Sequence, residues 1–83
     1  ANLPSIKINK KILKNEINII ELIVLSKLET SKSEIRRLIK GNAIKINNQL
    51  IKDEKFSISI EIFDNNCLKL SIGKKRHVKI EIN

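Results

Sequence analysis

The chain has 83 residues, and a chain this short buries only about 60% of its unfolded surface, which excludes a second hydrophobic core. Lys and Arg number 17 against 9 Asp and Glu, giving a formal net charge of +8 that favours a polyanionic partner. No apolar stretch reaches the roughly 18–20 residues that span a bilayer, and the single Cys excludes an internal disulfide and suits a reducing, cytoplasmic location.

Residues 1–15 contain the only Pro, Pro4, and a Lys-rich run. This composition predicts an extended lead-in or linker, acting as a tether or an edge, rather than a regular element. The run consists of Lys7, Lys10, Lys11 and Lys14. The chain contains no Met, at its start or elsewhere, which predicts a domain cut from a longer protein. We therefore expect a lead-in over residues 1–15 and one folded domain over residues 16–83.

A first helix is predicted over residues 19–28. Asn18 and Glu21 have the spacing of a capping box, in which the two side chains bond to free backbone N–H groups at the helix start. Beyond them, apolar residues recur at every third or fourth position, as on the buried face of a helix.

A second helix is predicted from Lys32 to Lys40. The Ser31 hydroxyl can accept a hydrogen bond from the backbone N–H of Glu34, whose carboxylate can reach back in turn. Gly41 and Asn42 follow Lys40, and both residue types tolerate the positive φ that often ends a helix.

After Asn42 the hydrophobic period changes from helical to two, which predicts strands with one solvated face. The alternating runs cover residues 44–46, 56–62, 68–72 and 78–82. Tight turns between these runs need residues that tolerate positive φ, and such residues stand at Asn47 with Asn48, at 64–66 and at Gly73. The order predicts an α+β fold, with two short helices packed on a small, largely antiparallel, four- to five-stranded sheet.

The second helix separates apolar from basic residues. At 100° per residue, Ile35, Leu38 and Ile39 fall within an arc of about 100°. The opposite side carries Lys32, Ser33, Arg36, Arg37 and Lys40. Any solvated helix carries charge on its outside, and A/T-rich codons for Lys, Asn and Ile are an alternative source of the basic composition. The outer face is nearly single-signed, however, since its one acid, Glu34, stands at a capping position, and this favours an anionic partner.

A second basic cluster is expected at the tip of a hairpin, because it lies between two alternating runs. It consists of Lys74, Lys75, Arg76 and His77. If the sheet packs on the helix pair, this tip and the second helix form a continuous basic surface, with Lys45 between or beside them. The chain has no Trp or Tyr, so shape and phosphate recognition of structured RNA fits better than stacking of single-stranded bases.

The sequence contains no set of residues typical of catalysis. One His and one Cys cannot complete a zinc site, and there is neither a Ser, His and acid set nor a phosphate-cradling Gly loop. We therefore expect a non-catalytic chain without a metal; Cys67 is interpreted as a small strand residue. A basic membrane-surface or protein-interaction module is an alternative from another class, since cationic amphipathic helices also bind anionic lipid.

Residues 31–48, SKSEIRRLIKGNAIKINN, resemble the core of the alpha-L RNA-binding module, which is named after a small-subunit ribosomal protein. The resemblance implies that Lys32, Arg36, Arg37 and Lys40 face RNA. The resemblance and the basic hairpin together predict one RNA site. No catalytic residue and no metal-binding residue is predicted. The site comprises Ser31, Lys32, Ser33, Arg36, Arg37, Lys40, Lys45, Asn47, Lys74, Lys75, Arg76 and His77.

The flanks extend the resemblance to the C-terminal domain of bacterial-type tyrosyl-tRNA synthetases. They are Leu3 with Pro4, and LSIGKKRHVKI over residues 70–80; an aromatic residue usual after the basic hairpin is replaced by His77. The resemblance implies a domain that grips the anticodon stem and long variable arm of tRNA(Tyr), needs no cofactor or membrane, and belongs to a homodimeric parent enzyme that uses ATP. The alternative is the same module in a pseudouridine synthase, an RNA methyltransferase or a ribosome quality-control factor.

Overall fold

The computed structural model describes residues 4–82, and over that range both predicted helices are present. Helix α1 covers Ile19–Ser26 and begins at Asn18, whose side chain accepts a hydrogen bond from the backbone N–H of Ile20 at 2.8 Å. It ends two residues earlier than expected, because Lys27 adopts a left-handed conformation with φ of 64°. Leu3, part of one predicted flank, lies outside the described residues, as do residues 1, 2 and 83.

Helix α2 covers Lys32–Lys40, as predicted, and Ser31 Oγ accepts from the Glu34 N–H at 3.3 Å. The reciprocal bond expected from Glu34 is wrong. The Glu29 carboxylate accepts from the backbone N–H groups of Thr30 at 3.0 Å and Ser31 at 3.1 Å, while the Glu34 carboxylate turns to Arg37. A residue before the helix therefore completes the cap.

Five strands form a mixed sheet in the order β1-β7-β6-β3-β4. Their bounds are Ser5–Ile8 for β1, Ile44–Ile46 for β3, Gln49–Leu50 for β4, Cys67–Ile72 for β6 and Arg76–Ile82 for β7. The pairs β3 with β4, β3 with β6, and β6 with β7 are antiparallel, and only β1 with β7 is parallel among the described strands. The predicted α+β fold with a largely antiparallel sheet is confirmed.

Part of the predicted lead-in belongs to this sheet. Strand β1 is an edge strand, and a 3₁₀ helix follows at Lys10–Leu13. Ile8 and Leu13 are only 6% and 5% exposed and join the hydrophobic core. The division of the chain at residue 15 stays a prediction, but these two side chains pack with residues 16–82.

The expectation of one strand over residues 56–62 is wrong. Ser57–Ile58 (β5) pairs with Ile17–Asn18 (β2) in a separate two-stranded sheet, and Ile60–Ile62 is a 3₁₀ helix. The start of α1 holds this segment, because the Ile19 N–H donates to the Phe56 carbonyl at 2.9 Å. Period-two alternation identifies an extended segment but not its partner.

The tight turns follow the predicted chemistry. Positive φ occurs at Asn42, Asn47, Asn48, Asn65, Asn66 and Gly73. Asn tolerates this region because its short polar side chain bonds locally. At the end of α2, Asn42 takes the positive φ, at 60°, whereas Gly41 keeps φ of −86°.

The core lies between the helices and one face of the sheet. Ile35 and Ile39 of α2 are buried, together with alternate residues of the central strands. Those strand residues are Ile44, Ile46, Leu68, Leu70, Val78 and Ile80. Since successive side chains of a strand point to opposite faces, the residues between them lie on the face turned away from the helices, which we call the outer face of the sheet.

Candidate nucleic-acid interface

The basic side of α2 is turned to solvent because its apolar side is buried in the core. Ile35 is 0% and Ile39 1% exposed. The five predicted site residues of the helix are all exposed: Lys32, Ser33, Arg36, Arg37 and Lys40. The helix therefore presents cationic and hydroxyl groups along one accessible surface.

Two of these cations are paired with acids. Lys32 Nζ lies 2.9 Å from Glu21 Oε1 on α1, and the Arg37 guanidinium donates to both Glu34 carboxylate oxygens, at 2.8 and 2.7 Å. Hydrogen bonding and attraction to Glu34 raise the pKa of Arg37, and an Arg side chain is cationic at any pH at which RNA binds, with or without that partner. Exposed ion pairs contribute only about 0–1 kcal/mol, and a phosphate can therefore replace the carboxylate.

Arg36 and Lys40 form no ion pair within residues 4–82. They stand four residues apart and so lie next to each other on the helix surface. Both retain their full charge for an external anion, which makes them the strongest phosphate-binding candidates on α2.

The turn between β6 and β7 is fixed beside the end of α2. Its Gly73 N–H donates to the Ala43 carbonyl at 2.7 Å, and the Ala43 N–H donates to the Leu38 carbonyl of α2 at 3.0 Å. Lys74 and Lys75 are exposed at the turn. The two predicted basic elements are therefore joined through the backbone on one side of the molecule.

Arg76 links the same turn to the connection between the helices. It pairs with Ile72 across the β6–β7 ladder, on the sheet face that packs against the helices. Its guanidinium donates to the Leu28 carbonyl at 3.2 Å and lies 3.9 Å from the Glu29 carboxylate. Arg76 thus orients the turn as well as adding charge to it.

His77 is half-buried and braces the turn. Its Nε2 lies 3.0 Å from the Lys74 carbonyl, and its Nδ1 lies 3.0 Å from Ser71 Oγ. A carbonyl can only accept, so Nε2 carries the proton of the first bond. These bonds hold the backbone of Lys74 against the strand pair and give the buried Ser71 hydroxyl a partner.

Lys45 does not lie between α2 and the turn. Ile44 and Ile46 on either side of it are buried, so the alternation of β3 places Lys45 on the outer face of the sheet. Of the two predicted positions, between the helix and the turn or beside them, the first is wrong. Lys45 pairs with Ser71, two residues before Gly73, so a position beside the turn stays the prediction. Lys69 and Lys79, which the site prediction omitted, share the outer face with Lys45. The period-two alternation of their strands could have predicted this, since it places all three lysines opposite the buried residues.

Asn47 and Ser31 have structural partners. The Asn47 side chain accepts from the Lys69 N–H at 2.9 Å and donates to the Ile62 carbonyl at 3.1 Å. The Ser31 hydroxyl caps α2 and lies 3.2 Å from the Ser33 hydroxyl. Both residues shape the backbone that carries the basic groups.

Within residues 4–82, no group of three or more His, Cys, Asp and Glu is placed to hold a metal ion. Over the same residues, no helix is both long and apolar enough to cross a membrane. A groove of about 470 Å³ opens elsewhere, beside the 3₁₀ helix Lys10–Leu13. It is lined by Asn9, Lys10, Lys11, Leu13, Lys14 and Ile60.

Comparison with known families decides which protein carries this arrangement. The family described as the tyrosine–tRNA ligase SYY-like C-terminal domain matches residues 1–80. The chain belongs to this family. The predicted resemblance to the tyrosyl-tRNA synthetase C-terminal domain is confirmed, and the match favours it over the other RNA-modifying and ribosome-associated proteins.

Relatives of this synthetase domain family align with nearly the whole chain. The tyrosine–tRNA ligase of Pelagibacter ubique (strain HTCC1062) is 60% identical over 81 residues. Those of Rickettsia massiliae (strain Mtu5) and Rickettsia bellii (strain RML369-C) are 43% and 44% identical over 82 residues. Each alignment covers 98% of this chain but 20% of the relative, so the chain spans one fifth of the length of these curated relatives.

Proposed function

We propose that this domain binds tRNA(Tyr) for a parent tyrosine–tRNA ligase, contacting phosphates of the anticodon stem and the long variable arm. The observation that carries the proposal is the joining of two basic elements, α2 and the β6–β7 turn. The Gly73–Ala43 hydrogen bond connects them, and Arg76 ties the turn to the residues before α2. A rigid array of cations suits a folded RNA of fixed shape.

Arg36, Lys40, Lys74 and Lys75 supply the primary phosphate contacts, because each is exposed and forms no ion pair within residues 4–82. Lys32 and Arg37 join them when phosphates displace their carboxylate partners. Five or six such contacts give a log–log salt dependence with a slope of about −4 to −5. Since Phe56 and Phe63 both pack against the core, recognition proceeds through shape and phosphates rather than base stacking.

For the parent enzyme we propose a cytoplasmic homodimer that activates tyrosine with ATP outside this domain. The domain itself takes part through tethering, because a linked second contact acts at a high effective concentration and raises the affinity for tRNA. No cofactor or metal is assigned to the domain.

A membrane-surface role is disfavoured by the packing of α2. Its apolar residues Ile35 and Ile39 are buried against the sheet. Binding in a bilayer interface requires an apolar face free to enter the acyl boundary, and this helix presents only its basic side.

A salt titration of tRNA binding tests the proposal. The chain is titrated with a tRNA that has a long variable arm and with one that lacks it, as wild type and as Arg36→Ala/Lys40→Ala. We expect tighter binding to the long-arm tRNA, and a slope that flattens by about 2 in the double variant.

Lys52→Ala/Lys55→Ala is the matched control, since it removes the same charge from an exposed loop beside Asp53 and Glu54. The control is expected to keep the wild-type slope. Equal binding of both tRNAs contradicts recognition of the variable arm, and failure to bind either tRNA at about 0.1 M salt overturns the RNA-binding function.

A further inference from the structure

Two lysines stand directly opposite each other on the outer face of the sheet. Lys69 of β6 pairs with Lys79 of β7 in the antiparallel register. Like charges in directly opposed positions destabilise a sheet. Lys45 adds a third charge, because it pairs with Ser71, two residues along β6 from Lys69 on the same face.

The one acid of this face pairs with only one of these cations. Glu81 is the one acid among the outer-face residues of the described strands, and its carboxylate lies 3.3 Å from Lys79 Nζ. Lys7, on β1, adds another cation opposite Glu81. Lys69 has no acidic partner within residues 4–82. Positive charges on this face thus outnumber negative ones, and two lysines oppose each other although this costs stability. Such a cost indicates that the lysines serve binding rather than folding.

We propose that the outer face of the sheet is a second RNA-binding surface, where Lys45, Lys69 and Lys79 contact backbone phosphates beyond those held by α2. A phosphate between the ammonium groups of Lys69 and Lys79 converts their repulsion into two charge-assisted hydrogen bonds. This inference rests on the proposed function, since the same tRNA supplies the phosphates.

The β6–β7 turn connects the two basic surfaces. Lys69 and Lys79 each stand three residues from the turn-side ends of their strands, Ile72 and Arg76, a span of about 10 Å. An RNA backbone that contacts Lys74 or Lys75 therefore passes close to the opposed lysine pair. In this arrangement α2 contacts one part of the RNA backbone and the outer face of the sheet contacts another part.

The uncharged groups of this face also fit a hydrated polyanion. Between the lysines lie small or polar residues, namely Ser5, Cys67, Ser71 and His77. The one apolar residue of this face on the described strands of the five-stranded sheet is Leu50, half-buried opposite Lys45 on the edge strand β4. Docking of a protein segment typically requires a cluster of apolar or aromatic anchors, and a single half-buried Leu50 at the edge of the sheet does not form one. Phosphate contacts need only accessible cations, which the lysines of this face supply.

The test compares Lys69→Gln/Lys79→Gln with Arg36→Gln/Lys40→Gln and with the control Lys52→Gln/Lys55→Gln. For each, the salt-dependent affinity for the long-arm tRNA and the thermal unfolding midpoint are measured. We expect the sheet variant to bind roughly tenfold or more weakly at about 0.1 M salt. Its midpoint should stay close to wild type, because relief of the lysine repulsion offsets the loss of the exposed Lys79–Glu81 ion pair. Lys69→Arg/Lys79→Arg keeps both charges and is expected to retain affinity.

Wild-type affinity in the Gln sheet variant, alongside weakened binding in the α2 variant, would overturn the second surface and leave the proposed function intact. A lowered midpoint in the Gln sheet variant, or a loss that the Arg variant shares, would also overturn it, since the lysines would then act through structure. If the wild-type chain binds no tRNA, the proposed function itself fails.

Discussion

The guanidinium of Arg76 donates a hydrogen bond to the backbone carbonyl of Leu28 across 3.2 Å. Through it the β6–β7 turn is held against the connection between the two helices. Glu29, 3.9 Å from the same guanidinium, also accepts from the backbone N–H of Ser31 at the start of α2. The orientation of the turn and the start of the basic helix are therefore coupled through neighbouring residues.

Arg76→Ala is expected to weaken tRNA binding by more than the loss of one charge, because the turn is released from the helices. The free energy of unfolding should fall by only about 1 kcal/mol, as the lost contacts are partly exposed. Lys74→Ala removes one charge from the same turn without cutting this link. Binding curves and urea unfolding of both variants check the expectation, and equal losses of affinity would reduce Arg76 to a simple phosphate contact.

Asn47→Ala is expected to destabilise the domain by about 2 kcal/mol or more. The substitution removes one accepted and one donated hydrogen bond. It also places Ala at φ of 51°, a region that costs a residue without a local side-chain hydrogen bond about 1–2 kcal/mol. Asn48→Ala is the matched control, because Asn48 has φ of 69° but no side-chain hydrogen bond within residues 4–82.

The difference between these two variants in urea unfolding isolates the side-chain contribution of Asn47. We expect the affinity of folded Asn47→Ala for tRNA to stay near wild type, since both ends of its amide face the protein backbone. A stable variant with weakened binding would instead support the predicted place of Asn47 in the RNA site.

Local rules explain which parts of the fold the sequence predicts. Ser31 caps α2, and Asn47, Asn48 and Gly73 form turns, because each preference is determined by a few adjacent residues. The β6–β7 hairpin and the outward basic side of α2 follow for the same reason. These features include most of the α2 and turn components of the predicted RNA site.

Long-range pairing explains what the sequence did not reveal. Strand β1 pairs in parallel with β7 from the other end of the chain, and four residues of alternation give no sign of that partner. Residues 56–62 alternate as a strand does, yet only Ser57–Ile58 pairs, and with β2. Lys45 shows the same limit. It lies on the sheet face turned away from the helices, and this placement depends on how the sheet packs rather than on the neighbours of Lys45 in sequence.

Glu34→Gln is expected to strengthen tRNA binding. Glu34 engages the Arg37 guanidinium through two hydrogen bonds and raises its pKa; removing the carboxylate frees a group that remains cationic. The loss of an acid from the first turn of α2 should lower the free energy of unfolding by less than about 1 kcal/mol. Glu16→Gln, which also removes one exposed negative charge, controls for net charge, and an equal gain in both variants would contradict a specific role for Arg37.

Leu13→Ala tests whether residues 1–15 form a separable lead-in. Leu13 is 5% exposed and belongs to the core, so the truncation should lower the free energy of unfolding by about 2–5 kcal/mol. The neighbouring Ile12→Ala is the control, because Ile12 is 38% exposed and should lose less than about 1 kcal/mol. Small, equal losses in urea unfolding would support a boundary at residue 15, whereas a large loss confined to Leu13 places this residue inside the cooperative unit and moves the boundary toward β1.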